Sequence, residues 1–264
     1  MSALPTIDEQ SKLQAKTAAH YDAYPFDFLT PADEAAIREM QPEPFCRFVG
    51  NHIREGDRVC EIGCGPGRGT LFLTRQGIDV VAIDISQRSL ALARSRAPDA
   101  RFVCSSNVAL PFRDDMFDVV VSDGVIHHTP NPRLAFAENA RILRRSGFYY
   151  LGVYNKRGYY YYIYTFAGSP VRWLERHVIG RWLILATIVP LYWAIHLIKS
   201  GGKRTWRGAI NFFYDYAITP CASFHTYEEI CSWSMQEGLE LVEYDPSLGN
   251  VHVFVFKKCR SARA

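Results

Sequence analysis

Several features that would place the 264-residue chain in a particular class of protein are missing from its sequence. The net charge is only +3, and there is no basic tail or arginine-rich run, so nucleic acid is not a favoured partner. The seven cysteines are scattered and never form a Cys-x-x-Cys pair, which argues for reduced thiols in a cytosolic setting, without disulfides or zinc. The first residues are polar and show no signal peptide, and no acidic cluster is obvious. We therefore expect a cytoplasmic protein that binds no metal.

The most informative stretch of the chain is a glycine-rich turn at residues 61–67, Glu-Ile-Gly-Cys-Gly-Pro-Gly, between a short apolar run and a helical pattern. Glycines let the backbone turn sharply and approach a bound molecule, and the following helix presents unpaired N–H groups and a positive dipole end. A second apolar run ends in Asp84, at the strand tip where α/β nucleotide sites bind ribose hydroxyls. The pattern predicts a site for a charged, ribose-containing ligand.

The spacing of these glycines argues against a dinucleotide fingerprint. A Gly-x-Gly-x-x-Gly pattern started at Gly63 ends on Arg68, which is not glycine. The pattern acidic-x-Gly-x-Gly-x-Gly instead resembles the class I S-adenosylmethionine-dependent methyltransferases, in particular the small-molecule, type 11 group that includes quinone-biosynthesis enzymes. The resemblance covers roughly residues 45–153 and, weakly, 225–257. It implies S-adenosylmethionine as cofactor, with the following candidate contacts around the turn and the ribose: Glu61, Gly63, Cys64, Gly65, Gly67, Asp84 and Ile85.

Strand-like and helix-like patterns alternate along the chain, which predicts an α/β fold with a doubly wound, mostly parallel sheet. A helix is expected from Asn131 to Arg145, and the last two strands look like an antiparallel hairpin. The resemblance implies a seven-stranded, Rossmann-like sheet. We expect four parts, namely an N-terminal helical arm at 1–44, the cofactor-binding core at 45–153, an inserted lid at 154–224, and a C-terminal helix and hairpin at 225–264 that complete the core.

The loops after the third and fourth strands carry the next candidates. Family members usually have an aspartate at the position of Ser106, where it accepts a hydrogen bond from the adenine amino group; the amide oxygen of Asn107 could accept the same bond. The alternative is that both residues only form the turn. After the fourth strand, Asp123 is a further candidate cofactor contact, followed by His127 and His128.

The histidine pair stands where other methyltransferases carry an Asn-Pro-Pro-aromatic run or a Pro-Cys pair, and the absence of both removes two classes of macromolecular substrate. Histidine is well suited to accept a proton near neutral pH, so one of the pair could deprotonate an acceptor, with His128 preferred over His127. The alternative is that a histidine caps the next helix or bonds to the backbone.

Two segments could cover the site. The N-terminal His-Tyr-Asp segment resembles the entry segment of quinone-type relatives, so Tyr21 could contact the cofactor and Tyr24 the substrate, unless both only dock the arm. The second segment, 154–224, is far longer than the usual connection of about 4–6 residues. Eight of the fifteen tyrosines lie between residues 149 and 164 and suit an aromatic or lipophilic pocket. The candidate substrate contacts here are Tyr160, Asp215, Tyr216 and His225.

Within this insertion, residues 181–199 are apolar on all sides. The stretch is short for a membrane span of about 20 residues, so we expect a buried helical hairpin or lid that bends at Pro190 and forms one wall of a hydrophobic tunnel. Two alternatives are a homodimer interface and a peripheral membrane element over 181–207. In the latter, basic side chains would meet phosphate groups: Lys199, Lys203, Arg204 and Arg207.

These observations predict an enzyme that moves the cofactor's methyl group to an oxygen or carbon of a lipophilic or aromatic small molecule. Methyl transfer needs alignment and exclusion of water more than covalent help from the protein. Two alternatives share the same sheet motifs. One is intramolecular displacement on the cofactor to give a cyclic amino acid, and the other is a non-catalytic protein that only binds the cofactor.

Overall fold

A computed structural model of the chain describes residues 6–26, 34–199, 201–202, 205–246 and 250–259. Lys203 and Arg204, two members of the basic cluster noted in the sequence, lie outside the described residues. The fold is a seven-stranded sheet with helices on both faces, and its strand order is β3-β2-β1-β4-β5-β7-β6. The strands are β1 Arg58–Ile62, β2 Asp79–Asp84, β3 Arg101–Cys104, β4 Phe117–Asp123, β5 Leu143–Tyr154, β6 Leu239–Asp245 and β7 Val251–Lys258.

The first five strands are parallel, and β7 runs antiparallel between β5 and β6. The predicted mostly parallel sheet with an antiparallel C-terminal hairpin is therefore confirmed. The central strand β4 is buried from Phe117 to Ser122, as expected for a parallel strand that is covered on both faces. The strand order reverses between β1 and β4, so the carboxyl ends of these two strands form the crevice where such sheets bind ligands.

Two layers of helices cover the sheet. The helices outside the insertion are α1 Ile7–Ala23, α2 Glu34–Glu39, α3 Glu43–His52, α4 Arg68–Thr74, α5 Gln87–Arg96, α6 Pro132–Ile142 and, near the C-terminus, α12 Tyr227–Gln236. Apolar side chains of α3, α4 and α5 pack on one face of the sheet, and those of α6 and α12 pack on the other. This arrangement places the starts of α4 and α5 beside the crevice.

The helix expected from Asn131 to Arg145 is shorter than predicted. Asn131 caps its start by accepting a hydrogen bond from the N–H of Leu134, but the helix ends at Ile142. Leu143 already belongs to β5 and pairs with Phe117 ahead of an irregularity in the β4–β5 ladder. Both side chains are fully buried, so strand pairing in the core outweighs the local helical pattern.

In its described residues, the insertion forms three continuous helical segments, each containing a π-helical turn. The first joins α7 Tyr159–Tyr162, a π turn at Ile163–Ala167 and α8 Gly168–Glu175; the second joins α9 Val178–Leu183, a π turn at Ile184–Ile188 and α10 Val189–Lys199; the third joins α11 Trp206–Phe213 and a π turn at Tyr214–Ile218. Their shared core is small and contains Ile184, Val189, Phe213 and Tyr214. The first and second segments are held close at Gly180, where a Cβ atom would lie 2.0 Å from the carbonyl oxygen of Leu174.

The expectation of a buried hairpin at 181–199 is wrong. The second segment runs through Pro190 as one helix, because the π turn before Pro190 widens the helix and accommodates a residue without an N–H donor. Seven of its large apolar side chains are exposed, including Trp182 at 70% and Ile198 at 82%. By length and composition alone, Val178–Ile198 could cross a membrane, a test that the core helices of soluble proteins also pass.

Candidate functional site

A cavity of about 510 Å³ lies at the carboxyl ends of β1, β2 and β4, where the sheet topology places ligand sites. Its floor is the glycine-rich turn, and its walls come from the loops after β3 and β4. Helix α1 and the π turn of the third insert segment contribute side chains from above. Elements that are distant in the chain therefore enclose one space.

The three glycines of the turn serve different purposes, although all have positive φ, at 68°, 52° and 84° for Gly63, Gly65 and Gly67. A Cβ atom at Gly63 would lie 2.4 Å from the side chain of Val125. One at Gly67 would lie 2.9 Å from the backbone of Ala93, so this glycine lets α4 approach α5. A Cβ atom at Gly65 would meet nothing within 4 Å. Gly65 therefore faces open cavity, as a turn that receives a ligand requires.

Asp84 ties the end of β2 to this turn. One carboxylate oxygen accepts a hydrogen bond from the backbone N–H of Gly65 and the other accepts one from Ser86, each at 2.8 Å. Burial raises the pKa of Asp84, and the two N–H donors oppose that shift. The carboxylate lines the cavity and keeps lone pairs that can accept ribose hydroxyl groups.

Glu61 is buried at the end of β1, where its carboxylate accepts a hydrogen bond from the hydroxyl of Thr70 on α4. Burial raises the pKa of Glu61 to about 7. The side chain thus joins β1 to the helix that follows the glycine turn, and it also lines the cavity.

This buried carboxyl predicts a pH-dependent stability. Between pH 4.5 and about 7, folded Glu61 keeps a proton that the unfolded chain has released, so the free energy of unfolding should fall as the pH rises through this window. The Glu61→Gln variant keeps an acceptor for Thr70 but cannot ionise. We expect its stability relative to the parent to rise by up to roughly 3 kcal/mol over the window. Urea denaturation at about pH 5 and pH 8 measures this, and a difference independent of pH would contradict it.

In the loop after β3, the two candidate adenine contacts differ in their hydrogen-bond partners. The hydroxyl of Ser106 accepts hydrogen bonds from the side-chain amide of Gln14 on α1 and, at 3.3 Å, from the N–H of Val108. Asn107 is buried in the cavity wall, and neither its Oδ1 nor its Nδ2 has a hydrogen-bond partner among the described residues. Since buried polar groups are normally satisfied, Asn107 is suited to a polar ligand.

We therefore expect Asn107→Ala to weaken cofactor binding roughly five- to tenfold, the loss expected for one or two hydrogen bonds. Ser106→Ala, whose hydroxyl already bonds within the protein, should change the affinity less than about twofold. Calorimetric titration of both variants with S-adenosylmethionine makes the comparison. A larger loss for Ser106→Ala would assign the contact to Ser106 instead.

The histidine pair lies in a single 3₁₀ turn, Ile126–His128, directly after β4, but its two rings have different environments. Nδ1 of His127 accepts the backbone N–H of Tyr154 at 3.2 Å, and the ring stacks on that tyrosine with centroids 3.6 Å apart. Burial lowers the pKa of His127 well below its usual value. The proton-accepting nitrogen of His127 is therefore already occupied by a hydrogen bond from the backbone of β5.

Nδ1 of His128 lies 2.7 Å from the carbonyl oxygen of Cys221. A carbonyl only accepts, so Nδ1 carries the proton and Nε2 keeps its lone pair, with no partner among the described residues. Burial lowers the pKa of His128, and the nearby charge of Asp215 opposes that shift. A neutral imidazole with a free Nε2 beside the cavity can accept a proton at neutral pH.

The third insert segment and α1 bring two more polar groups to this end of the cavity. The hydroxyl of Tyr21 donates to Asp215 at 3.1 Å, and the Tyr21 ring lies 6.0 Å from the ring of His128. Asp215 and Tyr216 belong to the π turn at Tyr214–Ile218, a type of turn that occurs often at functional sites. The structure thus places an aromatic hydroxyl, a carboxylate and an imidazole around one end of the space.

Most of the residues singled out in the sequence line this cavity together. They are Glu61, Gly63, Cys64, Gly65, Asp84, Ile85, Ser106, Asn107, Asp123, Tyr21, His127, His128, Asp215 and Tyr216. Asp123 lies 3.8 Å from Arg68, which also lines the cavity, and burial raises the pKa of Asp123 against that charge.

Four candidates lie outside the lining. Gly67 packs α4 on α5, as described above. Tyr24 stacks on Tyr214, with ring centroids 4.3 Å apart. The hydroxyl of Tyr160 donates to the backbone oxygen of Tyr216 at 2.5 Å, so it holds the π turn. Nε2 of His225 lies 2.8 Å from the hydroxyl of Ser223. Each of these groups therefore has a local structural contact.

Several lining residues were not anticipated from the sequence. Thr17 and Gln14 lie four and seven residues before Tyr21 on α1, the spacing of a single helix face, and this periodicity could have identified them. Phe26 and Phe212 form apolar wall, and nothing in the local sequence marks them. Among the described residues, no three His, Cys, Asp or Glu side chains converge on a metal position, and all seven cysteines are free.

Comparison with known families identifies the central part of the fold. Residues 60–151, which run from within β1 to within β5 and include the glycine turn, match the family described as "Methyltransferase domain". The chain contains a class I S-adenosylmethionine-dependent methyltransferase domain. The resemblance that the glycine turn suggested is therefore confirmed.

Relatives of this methyltransferase domain include enzymes named for lipophilic substrates. The chain is 34% identical to a demethylmenaquinone methyltransferase of Renibacterium salmoninarum over 92 residues, 35% of this chain and 39% of that enzyme. It is 36% identical over 98 residues to the phthiotriol/phenolphthiotriol dimycocerosates methyltransferase of Mycobacterium tuberculosis, 36% of each chain. The chain thus matches well under half the length of these relatives.

Solved structures with the same fold extend over nearly the whole chain. A chain of the complex between the Haloferax volcanii Trm112 methyltransferase activator and a methyltransferase gives a TM-score of 0.61 at 16% identity, covering 91% of this chain and 98% of that one. The 1,6-didemethyltoxoflavin-N1-methyltransferase of Burkholderia thailandensis gives 0.59 at 16% identity, covering 98% and 93%. At these identities the similarity shows the fold alone.

The cofactor of this methyltransferase class, S-adenosylmethionine, fits the residues present. Gly65 leaves the floor of the cavity open, and Asp84 offers carboxylate oxygens at the ribose position of such folds. Asn107 supplies a buried amide without a partner, suited to the adenine amino group. These three features match the polar groups of a nucleoside.

Proposed function

We propose that the protein transfers the methyl group of S-adenosylmethionine to an oxygen or carbon atom of a lipophilic or aromatic small molecule. The observation that carries the proposal is the position of His128. His128 lines the same cavity as the glycine turn and its Nε2 has no partner among the described residues, so a proton acceptor and the candidate cofactor site share one space. A phenol, enol or hydroxyl that becomes a nucleophile needs such an acceptor.

The walls of the cavity support an apolar acceptor. Phe26, Phe212, Tyr154 and Tyr216 line it alongside the polar groups. Ligand pockets of this kind combine apolar and aromatic walls with a few polar groups that fix orientation. The relatives named for demethylmenaquinone and for phthiotriol dimycocerosates support the same substrate class.

The sulfonium group of the bound cofactor supplies an activated methyl, so the work of this chain is to align the acceptor and exclude water. We assign the core to residues 45–153 with 225–264, and the cover to 1–44 with 154–224. Gln14 on α1 bonds to Ser106, and Asp22 accepts a hydrogen bond from the hydroxyl of Ser86 at 2.6 Å. These contacts hold α1 over the part of the cavity assigned to the cofactor. His128 takes up the proton that the methylated substrate loses.

The test is incubation of the purified protein with methyl-labelled S-adenosylmethionine and a host extract, followed by separation into organic-soluble, nucleic-acid and protein fractions. We expect label in the organic phase, and its mass identifies the acceptor. Label in nucleic acid or protein would contradict the substrate class. Consumption of the cofactor without an added acceptor would favour intramolecular displacement, and binding without consumption would favour a non-catalytic protein.

We propose that the reaction takes place in the cytoplasm.

A further inference from the structure

The second insert segment exposes a continuous apolar stripe. Twelve of the 18 exposed large apolar side chains in the described part of the chain lie between residues 159 and 198. Along Val178–Lys199, exposed apolar residues recur every three to five residues. The five-residue interval begins in the π turn, where the helix is wider. This exposed stripe consists of Ile179, Trp182, Ala186, Leu191, Ile195 and Ile198. Soluble monomers rarely leave so much contiguous apolar surface in water without a partner.

The opposite side of the same helix is packed inward. Ile184 and Val189 are fully buried in the insert core against Phe213 and Tyr214. A helix that crossed a bilayer would have to leave these contacts and would carry the charge of Arg181, which pairs with Glu175 at 3.1 Å. One side packed on protein and one side apolar and exposed is the arrangement of a helix that lies in the plane of a membrane interface.

The charge distribution of the sequence indicates what covers the stripe. Residues 157–207 contain eight Lys and Arg but one acidic residue, a net charge of +7, whereas the rest of the chain has 22 basic and 26 acidic residues, a net of −4. The basic residues flank the stripe in sequence, with Arg176 and Arg181 near its start and most of the others after its end. An anionic lipid surface complements this segment, whereas a second copy would bring two positive segments together.

We propose that the exposed stripe binds the surface of an anionic lipid bilayer, with the helix lying in the interface and the flanking basic residues near the phosphate groups. The stripe helix packs on the third insert segment, whose π turn carries Asp215 and Tyr216 into the cavity. The bilayer surface is then one helix away from the cavity wall. Binding to lipid does not depend on the proposed methyl transfer and is measured without cofactor.

The test is co-sedimentation of the full chain with vesicles of phosphatidylcholine alone or with about one third phosphatidylglycerol. We expect binding to the anionic vesicles, weaker binding to the neutral ones, and loss of binding at high salt as charges are screened. The Ile179→Glu/Trp182→Glu variant should bind roughly 100-fold more weakly or worse, because two apolar side chains no longer enter the interface. Met235→Glu, which replaces an exposed apolar residue of α12, is the matched control and should bind as the parent does.

Folding of each variant is checked by its affinity for S-adenosylmethionine, which should be unchanged because residues 179 and 182 do not line the cavity. Failure of the parent to bind anionic vesicles would overturn the proposal, as would an equal loss for Met235→Glu.

Sedimentation velocity tests whether a second copy of the chain covers the stripe. A dimer of the parent that Ile179→Glu/Trp182→Glu dissociates would show that a second copy covers the stripe. Resistance of membrane-bound protein to alkaline carbonate would show a spanning helix instead.

Discussion

Gly65→Val should abolish measurable binding of S-adenosylmethionine, a loss of roughly 100-fold or more, while the protein remains folded. A Cβ atom at this position meets no protein atom within 4 Å, so a branched side chain projects into the cavity rather than into the core. Isothermal titration calorimetry measures the binding. The same substitution at Gly63 would be less informative, because a Cβ atom there overlaps Val125 and disturbs the fold itself.

The chain offers a matched control for the backbone cost of this substitution. Gly65 has a φ of 52°, a region where a β-branched residue is strained by roughly 1–2 kcal/mol. Gly77 has a φ of 75°, also meets nothing within 4 Å of a built Cβ, and lies exposed in the turn before β2. Gly77→Val should therefore lose comparable stability and keep full cofactor affinity. Micromolar binding retained by Gly65→Val would contradict the placement of the cofactor site.

The sheet and the cofactor turn could be predicted from the sequence because their signals are local. β2 and β4 are short, largely apolar runs, and the run that the sequence ends at Asp84 is β2, whose last residue is Asp84. The glycine pattern at residues 61–67 needs positive φ and close approach, and few other residue types meet that need. Such features depend on a few neighbouring residues, so they can be predicted without knowledge of the tertiary contacts.

The insertion could not be predicted because its signal is ambiguous. An all-round apolar helix is equally compatible with a core, a partner surface and a membrane surface. What decides is whether other elements cover it, and the third segment covers only the side with Ile184 and Val189. The same limitation applies to Phe212, whose place in the cavity wall follows from the path of the chain rather than from its neighbours in sequence.

The roles of the histidine pair could be predicted only in part from the sequence. The sequence identifies two adjacent imidazoles after β4, but the role of each depends on a bond that only the fold shows. Tyr154 of β5 donates its N–H to His127, and the carbonyl of Cys221 fixes the tautomer of His128. Both partners are more than 25 residues away in the chain. The structure thus favours His128 as the proton acceptor for a reason that the sequence pattern does not contain.

We expect His128→Asn to lower kcat by roughly 10²–10⁴-fold, the range for loss of a general base, with little change in cofactor affinity. The asparagine amide can still donate to the carbonyl of Cys221 from near the position of Nδ1, so the turn keeps its anchor. What is lost is the lone pair of Nε2. The measurement is kcat and KM with the acceptor identified from the labelling experiment, beside a titration with S-adenosylmethionine.

The pH profile separates a catalytic from a merely structural role for His128. Because burial lowers the pKa of His128, the parent should keep its activity as the pH falls to below about 6.5 and lose it when Nε2 becomes protonated. Asp215→Asn removes a charge that raises this pKa, so its acidic limb should move to lower pH. The residual activity of His128→Asn should lack the limb altogether. Turnover by His128→Asn at the parent rate, with the same acidic limb, would show that another group accepts the proton or that the acceptor arrives already ionised.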